Sequence, residues 1–264
     1  MDSYSVWKLV VICILACCFI MVLVWLWANK IKNAGVVDIF WSYNFPVIAV
    51  IIMCLADGYP TRKIMICGMI GLAGFRLGTH LLMRVGKHLG EEEGRYAQLR
   101  KEWAPNPDRK FFWFFQMQAL SNVLLAIPFF IVTTNSDKQL SSLEWLGLLL
   151  WAVAFIGESI ADWQLKEFKK NPENRGEVCD AGLWNYSRHP NYFFEWLMWV
   201  AYFVFALASP YGYLAIISPA IILYLLLKVT GIPATEEQSI RSKGDKYRAY
   251  QKTTSVFVPW LKSN

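Results

Sequence analysis

The sequence predicts an all-α, polytopic membrane helical bundle of about seven transmembrane helices, with its N-terminus outside and its C-terminus in the cytosol (N-out/C-in). Three observations predict it. Of 264 residues, 56% are hydrophobic and only 17% are charged, where a soluble chain carries roughly 25% charged residues. The apolar residues gather in runs of about 20, the length that crosses a hydrocarbon core. The Lys and Arg residues crowd into alternate links between those runs. A mean hydropathy of +0.32 agrees. Such a composition excludes a disordered chain, a soluble nucleic-acid binder and a coiled coil. The net charge of +6 is therefore read as setting orientation, with no nucleic-acid partner.

The runs lie at 5–28, 35–56, 64–85, 111–134, 143–164, 192–208 and 212–232. The first has no small-residue cleavage site and is too long for a signal segment, so it counts as a span. Ser209-Pro210-Tyr211-Gly212 divides the last two with turn chemistry. With the N-terminus outside, the inward links 29–34, 84–110 and 165–191 and the tail from 228 hold 21 Lys and Arg residues. The outward segments hold four, Lys8, Arg62, Lys63 and Lys138. That bias decides the orientation. The tail 235–254, rich in Glu, Lys, Arg and Tyr, is expected to lie as an interfacial helix under the bundle. Cys13, Cys17, Cys18, Cys54 and Cys67 sit inside apolar runs and only Cys179 in a polar link. They read as small apolar fillers, with no metal-ligand spacing.

Ionisable groups inside apolar runs are costly, so each needs a reason. Six stand there: Asp38, Arg76, His80, Glu158, Asp162 and Glu195. Glu158 and Asp162 are four apart and share one helix face, as do Arg76 and His80. The simplest arrangement sets the face with two carboxylates against the face with a guanidinium and an imidazole. Two readings fit, a structural ion-pair lock or a site, and two carboxylates on one face favour the site. Asp38 begins its run and is either a helix cap or a site residue. Gln116, Gln118 and Asn122 are explained by hydrogen bonds between helices.

The densest signal is Gly182-Leu183-Trp184-Asn185-Tyr186-Ser187-Arg188-His189-Pro190-Asn191-Tyr192-Phe193-Phe194-Glu195. Pro190 is suited to open a helix, because its ring presets φ and its missing N–H is an orphan there anyway. The helix tip is then electropositive and faces the cytosol. Arg188 adds a fork for phosphate or carboxylate. Asn191 and Glu195, four apart, enter the bundle together. A basic anchor at a span end explains Arg188, but not Asn191 and Glu195.

The run Tyr186-Ser187-Arg188-His189-Pro190-Asn191-Tyr192, followed by the Glu195 carboxylate, resembles the steroid 5α-reductase and sterol reductase superfamily. Further stretches resemble one bacterial branch, membrane proteins with a steroid 5α-reductase C-terminal domain. They are Val37-Asp38-Ile39-Phe40-Trp41, Arg76-Leu77-Gly78-Thr79-His80, Glu93-Gly94-Arg95-Tyr96 and Ala161-Asp162-Trp163-Gln164. The tail adds Glu236-Glu237, Lys246-Tyr247, Tyr250 and Pro259-Trp260.

The resemblance implies an NADPH-dependent oxidoreductase that reduces the C=C of an enone-type lipid, a 3-oxo-Δ4 steroid or a related molecule. It implies one integral membrane domain, 1–264, with 1–134 as the substrate-side helices and 143–264 as the cofactor-binding half. Carried over residue by residue, the cofactor contacts are Asp162, Tyr186, Arg188, His189, Asn191, Tyr192, Glu195, Glu237 and Tyr247. Asn191 and Glu195 match the pair placed near the nicotinamide amide. Lys170 and Arg175 join by charge alone, as candidates for the 2′-phosphate. No Gly-x-Gly-x-x-Gly follows a strand, so a Rossmann domain is absent. Steroid reductases hold the substrate carbonyl with a Tyr–Glu pair from the N-terminal half. Here that region reads Asp38, Trp41, Tyr43 and Asn44. The candidate polarisers are Asp38, Tyr43, Arg76, His80 and Glu158, the last as a carboxylic acid kept neutral by burial. The implied partners are a hydrophobic, steroid-like small molecule and membrane lipids, in a multi-pass protein of the cell inner membrane if the source is bacterial.

Membrane methyltransferases of the isoprenylcysteine type carry a similar Arg-His-Pro-x-Tyr run and a tail acidic pair, and they bind S-adenosylmethionine. The Asn191…Glu195 pair and the Asp162 stretch separate the two readings. A proton-coupled carrier or a lipid-binding scaffold would also use intramembrane charges, but no inverted pair of broken spans is visible.

Overall fold

The computed structural model describes residues 3–86, 89–92, 94–229 and 231–262, with side chains from Val6 onward. Glu93, quoted above, lies outside the described residues. Among the described residues there are helices and no strand. The helices are α1 (Ser3–Ile31), α2 (Val36–Leu55), α3 (Pro60–Val85), α4 (Gly94–Glu102), α5 (Pro107–Leu125), α6 (Ile127–Val132), α7 (Ser142–Lys170), α8 (Pro190–Ala206), α9 (Ile217–Tyr224), α10 (Ile232–Lys243) and α11 (Asp245–Thr253). Six stretches are long and apolar enough to cross a membrane: Val6–Ile31, Val36–Leu55, Pro60–Val85, Pro107–Val132, Ser142–Lys170 and Gly212–Lys243. The chain is thus an all-helical, polytopic membrane protein. The expected run 192–208 falls in α8, whose 17 residues sit at the short end of the range that spans a bilayer. The expected run 111–134 is broken near Ala126, where Pro128 removes a ladder donor and divides α5 from α6.

The chain divides into two compact units, Met1–Ser141 with Ala206–Leu214, and Ser142–Phe205 with Ala215–Asn264. In the first unit α1 buries one stripe, Leu9, Cys13, Cys17, Met21, Val24 and Ala28, while Leu15, Phe19 and Leu23 stay exposed. The stripe follows the helical repeat, and its outer apolar face is what lipid would cover. The cysteines in it fill space, as expected. Helix α2 packs closely on α3 through small residues. A Cβ on Gly78 would stand 2.7 Å from the Tyr43 ring, and one on Gly74 would stand 2.5 Å from Pro46.

Polar groups join the helices of this unit. Asn44 Nδ2 donates to Asn122 Oδ1 at 2.9 Å, Asn122 Nδ2 to the Trp41 carbonyl at 2.9 Å, and Trp41 Nε1 to Ser121 Oγ at 2.9 Å. The interhelical role expected of Asn122 holds. Arg62, read above as an outward orientation charge, is inside α3 and only 1% exposed. Its guanidinium donates to the carbonyls of Asn135, Asp137 and Gln139 at 3.1, 2.6 and 2.9 Å.

The link before α4 is also fixed. Asn33 Nδ2 donates to the carbonyls of Leu89 and Glu91, and Glu92 Oε1 accepts the Ala34 N–H at 2.8 Å. Arg100 grips Glu92 with two hydrogen bonds, of 2.8 and 2.9 Å, and reaches Asp108 at 3.1 Å. Burial alone would raise the Glu92 pKa, but the Arg100 and Ala34 hydrogen bonds outweigh it and hold the carboxyl below its usual range.

In the second unit α7 packs on α8 with glycine again at the contact. A Cβ on Gly157 would stand 2.6 Å from the Phe194 ring. Trp151 Nε1 donates to the Tyr202 hydroxyl at 3.1 Å, and Trp196 Nε1 to the Pro219 carbonyl at 3.2 Å. The tail expected as one interfacial helix over 235–254 is two, α10 and α11. They are divided at Gly244, whose φ of +57° no side-chain-bearing residue adopts readily.

Candidate functional site

The segment 182–195 is anchored at both ends. Gly182 has φ +60°, which glycine adopts most readily, and a Cβ there would stand 2.3 Å from the Gln164 amide. Gln164 Oε1 accepts the Leu183 N–H at 2.9 Å, and Trp184 Nε1 donates to the Ala161 carbonyl at 3.0 Å. These bonds seat the segment on the C-terminal half of α7. Pro190 opens α8, as its chemistry predicts.

The end of the chain then runs back along this segment. Arg188 N–H donates to Ser255 O at 2.8 Å, Trp260 N–H to Tyr186 O at 2.9 Å, and Ser187 Oγ to Phe257 O at 2.8 Å. The Tyr250 hydroxyl donates to the carbonyls of Trp184 and Ser187. Burial pushes the Tyr250 phenol up, and it pushes Tyr247 up to about 12 with help from the nearby Glu236 charge. Both therefore remain proton donors at neutral pH.

Glu236 is the centre of the arrangement. Its Oε1 lies 2.6 Å from Arg188 Nε, 3.4 Å from His189 Nε2 and 3.4 Å from the Tyr247 hydroxyl, and its Oε2 accepts Gln251 Nε2 at 2.9 Å. Arg188 also donates to the carbonyls of Gln251 and Thr254 at 3.0 and 2.7 Å. The His189 ring stacks on Tyr192 at 5.4 Å with an interplanar angle of 4°, and the Tyr192 hydroxyl meets Thr235 Oγ1 at 3.1 Å. Four of the expected cofactor residues, Arg188, His189, Tyr192 and Tyr247, thus come together.

Arg188 Nε donates to Glu236 and its Nη1 to two carbonyls, bonds that order the tail. Glu237 is exposed and pairs with Arg241 on its own helix. The inward carboxylate is its neighbour Glu236, because adjacent residues of a helix point about 100° apart. Glu236 and Gln251 were missed as individual residues, and the acidic pair 236–237 was the only signal available.

Deeper in α8, Asn191 Nδ2 donates to Asp162 Oδ1 of α7 at 3.3 Å. Glu195 follows one turn on, half-buried. Tyr186 is exposed. Lys170 and Arg175 line one cavity at the end of α7, and Lys170 also pairs with Glu167.

The candidate polarisers are spread over both units. In the first, Asp38 accepts the Tyr96 hydroxyl at 2.8 Å, and the Tyr43 hydroxyl meets Thr79 Oγ1 at 3.1 Å. Asp38 is not the cap of α2; Gly35 holds that place, and Asn33 Oδ1 accepts the Gly35 N–H at 2.9 Å. Arg76 and His80 are half-buried on α3. In the second unit, Glu158 is 3% exposed on α7. Among the described residues no group of three His, Cys, Asp or Glu side chains could hold a metal ion.

Comparison with known proteins gives two relatives. An uncharacterised protein of Schizosaccharomyces pombe, C594.04c, is 25% identical over 270 residues, covering 89% of this chain and 76% of that protein. A probable O-methyltransferase of Ustilaginoidea virens, ustE, is 41% identical over 46 residues, which are 17% of this chain and 16% of that protein. No solved structure matches. Residues 24–254 match the family described as protein of unknown function DUF1295, and the chain belongs to that family.

Proposed function

We propose that this chain is an NADPH-dependent membrane reductase that reduces the C=C of an enone-type lipid, a 3-oxo-Δ4 steroid or a related molecule. The observation that carries the reading is the opening of α8. There an amide, Asn191, is held by the Asp162 carboxylate, with Glu195 one turn on, beneath the Arg188–His189–Glu236 cluster. DUF1295 is a family related to steroid 5α-reductase-like membrane proteins, which supports it.

The donor set suits a pyridine dinucleotide. An amide donates and accepts and a carboxylate accepts, so together they can answer both the N–H groups and the carbonyl of a carboxamide, and the cationic wall near Lys170 and Arg175 suits a phosphate. NADPH, when bound, supplies the hydride. The chain's own residues orient and exclude water. Asp162 fixes the rotamer of Asn191, and Arg188 and Glu236 bind the tail over the opening of α8. His189 and Tyr192 hold their stacked pair through Glu236 and Thr235. A carbonyl polariser must donate to the developing negative charge; Asp38, Tyr43, Arg76, His80 and Glu158 remain its candidates. The reading needs the tail on the cytosolic side, and a C-terminal tag inaccessible from that side would defeat it.

The test is nicotinamide absorbance of NADPH with purified protein and a panel of enones. Turnover by the wild type is expected. Glu195→Gln is expected to lower it by roughly tenfold or more, the scale of one charge-assisted hydrogen bond, with an unchanged melting midpoint. Wild-type turnover in that variant would remove Glu195 from the site, and no oxidation with any enone would remove the reductase.

A second reading, an S-adenosylmethionine-dependent methyltransferase of the isoprenylcysteine type, draws on the short match to the probable O-methyltransferase ustE. Binding of S-adenosylhomocysteine in place of 2′,5′-ADP would favour it.

A further inference from the structure

The link after α7 turns back on that helix, and with Lys243 at the end of α10 it lines a half-open cavity of about 370 Å³. Small-molecule sites fall at roughly 300–1,000 Å³. Lys169, Lys170, Arg175 and Lys243 all line it. Glu177 is the one carboxylate among the lining residues, and it is ion-paired with Lys246. The charges of Lys169 and Lys243 act on each other and on Cys179, so these two cations share one neighbourhood. Like charges held together cost free energy that an anion between them would relieve.

The wall is also held in place. Asn171 Oδ1 accepts the Glu173 N–H at 3.1 Å, and Asn174 Nδ2 donates to the Phe168 carbonyl at 2.8 Å. The Lys243 ammonium lies 5.7 Å from the Tyr247 ring centroid. A link backbone fixed before binding leaves only the cation side chains, exposed or half-buried, to order on binding.

We infer that this cavity binds a phosphate group, carried by a nucleotide or by a lipid headgroup, and that Lys169 and Lys243 complete a cationic wall begun by Lys170 and Arg175. In its nucleotide form the inference rests on the reductase reading; the phosphate site itself does not. Arg175 supplies a planar fork and the lysines supply compact charges, the combination that suits a phosphomonoester dianion. One of the four cations, Lys243, comes from a segment some seventy positions away, so tail and link would be tied together by one ligand.

The experiment uses the full chain in detergent, titrated calorimetrically with adenosine 2′,5′-bisphosphate. In parallel, protein taken from nanodiscs of phosphatidylcholine with phosphatidic acid is weighed intact for retained lipid. Both are repeated with a Lys169→Gln, Lys243→Gln double variant, with Lys169→Gln alone, and with the matching Arg replacements. At least one probe is expected to bind. The double Gln variant should weaken it by on the order of tenfold or more, with the probe-free melting midpoint unchanged. The Arg variants should retain binding, and added salt should weaken it. Binding of the bisphosphate alone assigns the nucleotide source, and retention of phosphatidic acid alone assigns the headgroup. Failure of both probes, or equal affinity in wild type and both Gln variants, overturns the site. If the bisphosphate binds through this wall while no enone oxidises NADPH, the phosphate site stands and the reductase reading falls. If NADPH is consumed equally well by the double variant, the reductase stands and the nucleotide is discarded as the ligand of this cavity.

Discussion

The two units treat buried charge differently. In the first, charged and amide groups are answered largely by backbone carbonyls and by each other. Arg62 is spent on three carbonyls, Asn44 on Asn122, and Glu92 on Arg100 and Ala34. In the second, Glu236 of α10 gathers four side chains from two other segments, and a nearby cavity is walled by cations. A group closed by fixed carbonyls can only hold the fold. A cluster that orders a helix opening, beside a cation-lined cavity, can also set the geometry of a ligand. On the proposed reading the second unit holds the cofactor, while the polar groups of the first interlock its helices.

The largest expected effect tests the first half of that contrast. Arg62→Met removes a cation that is 1% exposed and leaves three carbonyls short of a donor. Each unmade charge-assisted bond of this kind costs about 1.5–3 kcal/mol, less where water can enter. A loss of about 4 kcal/mol in unfolding free energy is expected, with nucleotide affinity unchanged in whatever protein stays folded. Calorimetry and ligand titration on the same sample read both. A stable variant that binds nucleotide weakly would break the contrast.

Glu236→Gln tests the second half, and Glu237→Gln sharpens it. The Arg188–Glu236 pair is well buried, with side-chain exposures of 11% and 17%. An amide keeps some hydrogen bonds but leaves the Arg188 charge unanswered, at a cost of about 2 kcal/mol. Because the cluster orders the opening of α8, nucleotide affinity should fall by roughly tenfold as well. Glu237 pairs with Arg241 on the exposed side, at 63% and 76% exposure, so its change should stay below about 0.5 kcal/mol with affinity intact. Equal behaviour of the two variants would erase the distinction between neighbouring carboxylates.

That distinction also marks how far the sequence could be read. The long apolar runs were legible because a span announces itself through some twenty residues of one character. Pro190 was legible because its chemistry at a helix start is local. The choice of Glu236 over Glu237 was not, since the phase of a short polar helix depends on what it packs against. Arg62 read as an orientation charge because nothing local shows that residues 135–139 offer it carbonyls. Asp38 reads equally as a cap or a site residue from its place in the run, and its partner is Tyr96, fifty-eight positions on. Lys169 and Lys243 share a wall that only the fold of the tail brings about.

The smallest effect expected is a pH dependence in the first unit. The Glu92 carboxyl is held below its ordinary value of 4.5 by Arg100 and Ala34, against the opposing pull of burial. A carboxyl whose pKa is lower folded than unfolded binds protons more readily in the unfolded chain. Its contribution is therefore full above the unfolded value, about 4.3–4.5, and is lost as pH falls through the folded value. The Glu92→Gln variant has no such proton to lose. Wild type should exceed it by about 1 kcal/mol at neutral pH, since Arg100 keeps Asp108. The gap should be flat from pH 7 to about 5 and should close below about 4. Melting midpoints of both proteins across that range measure it. A gap that persists unchanged in acid would mean that Glu92 acts through its shape and not through its charge. The link before α4 would then be held by the neutral hydrogen bonds of Asn33 and by the fit of the Glu92 side chain.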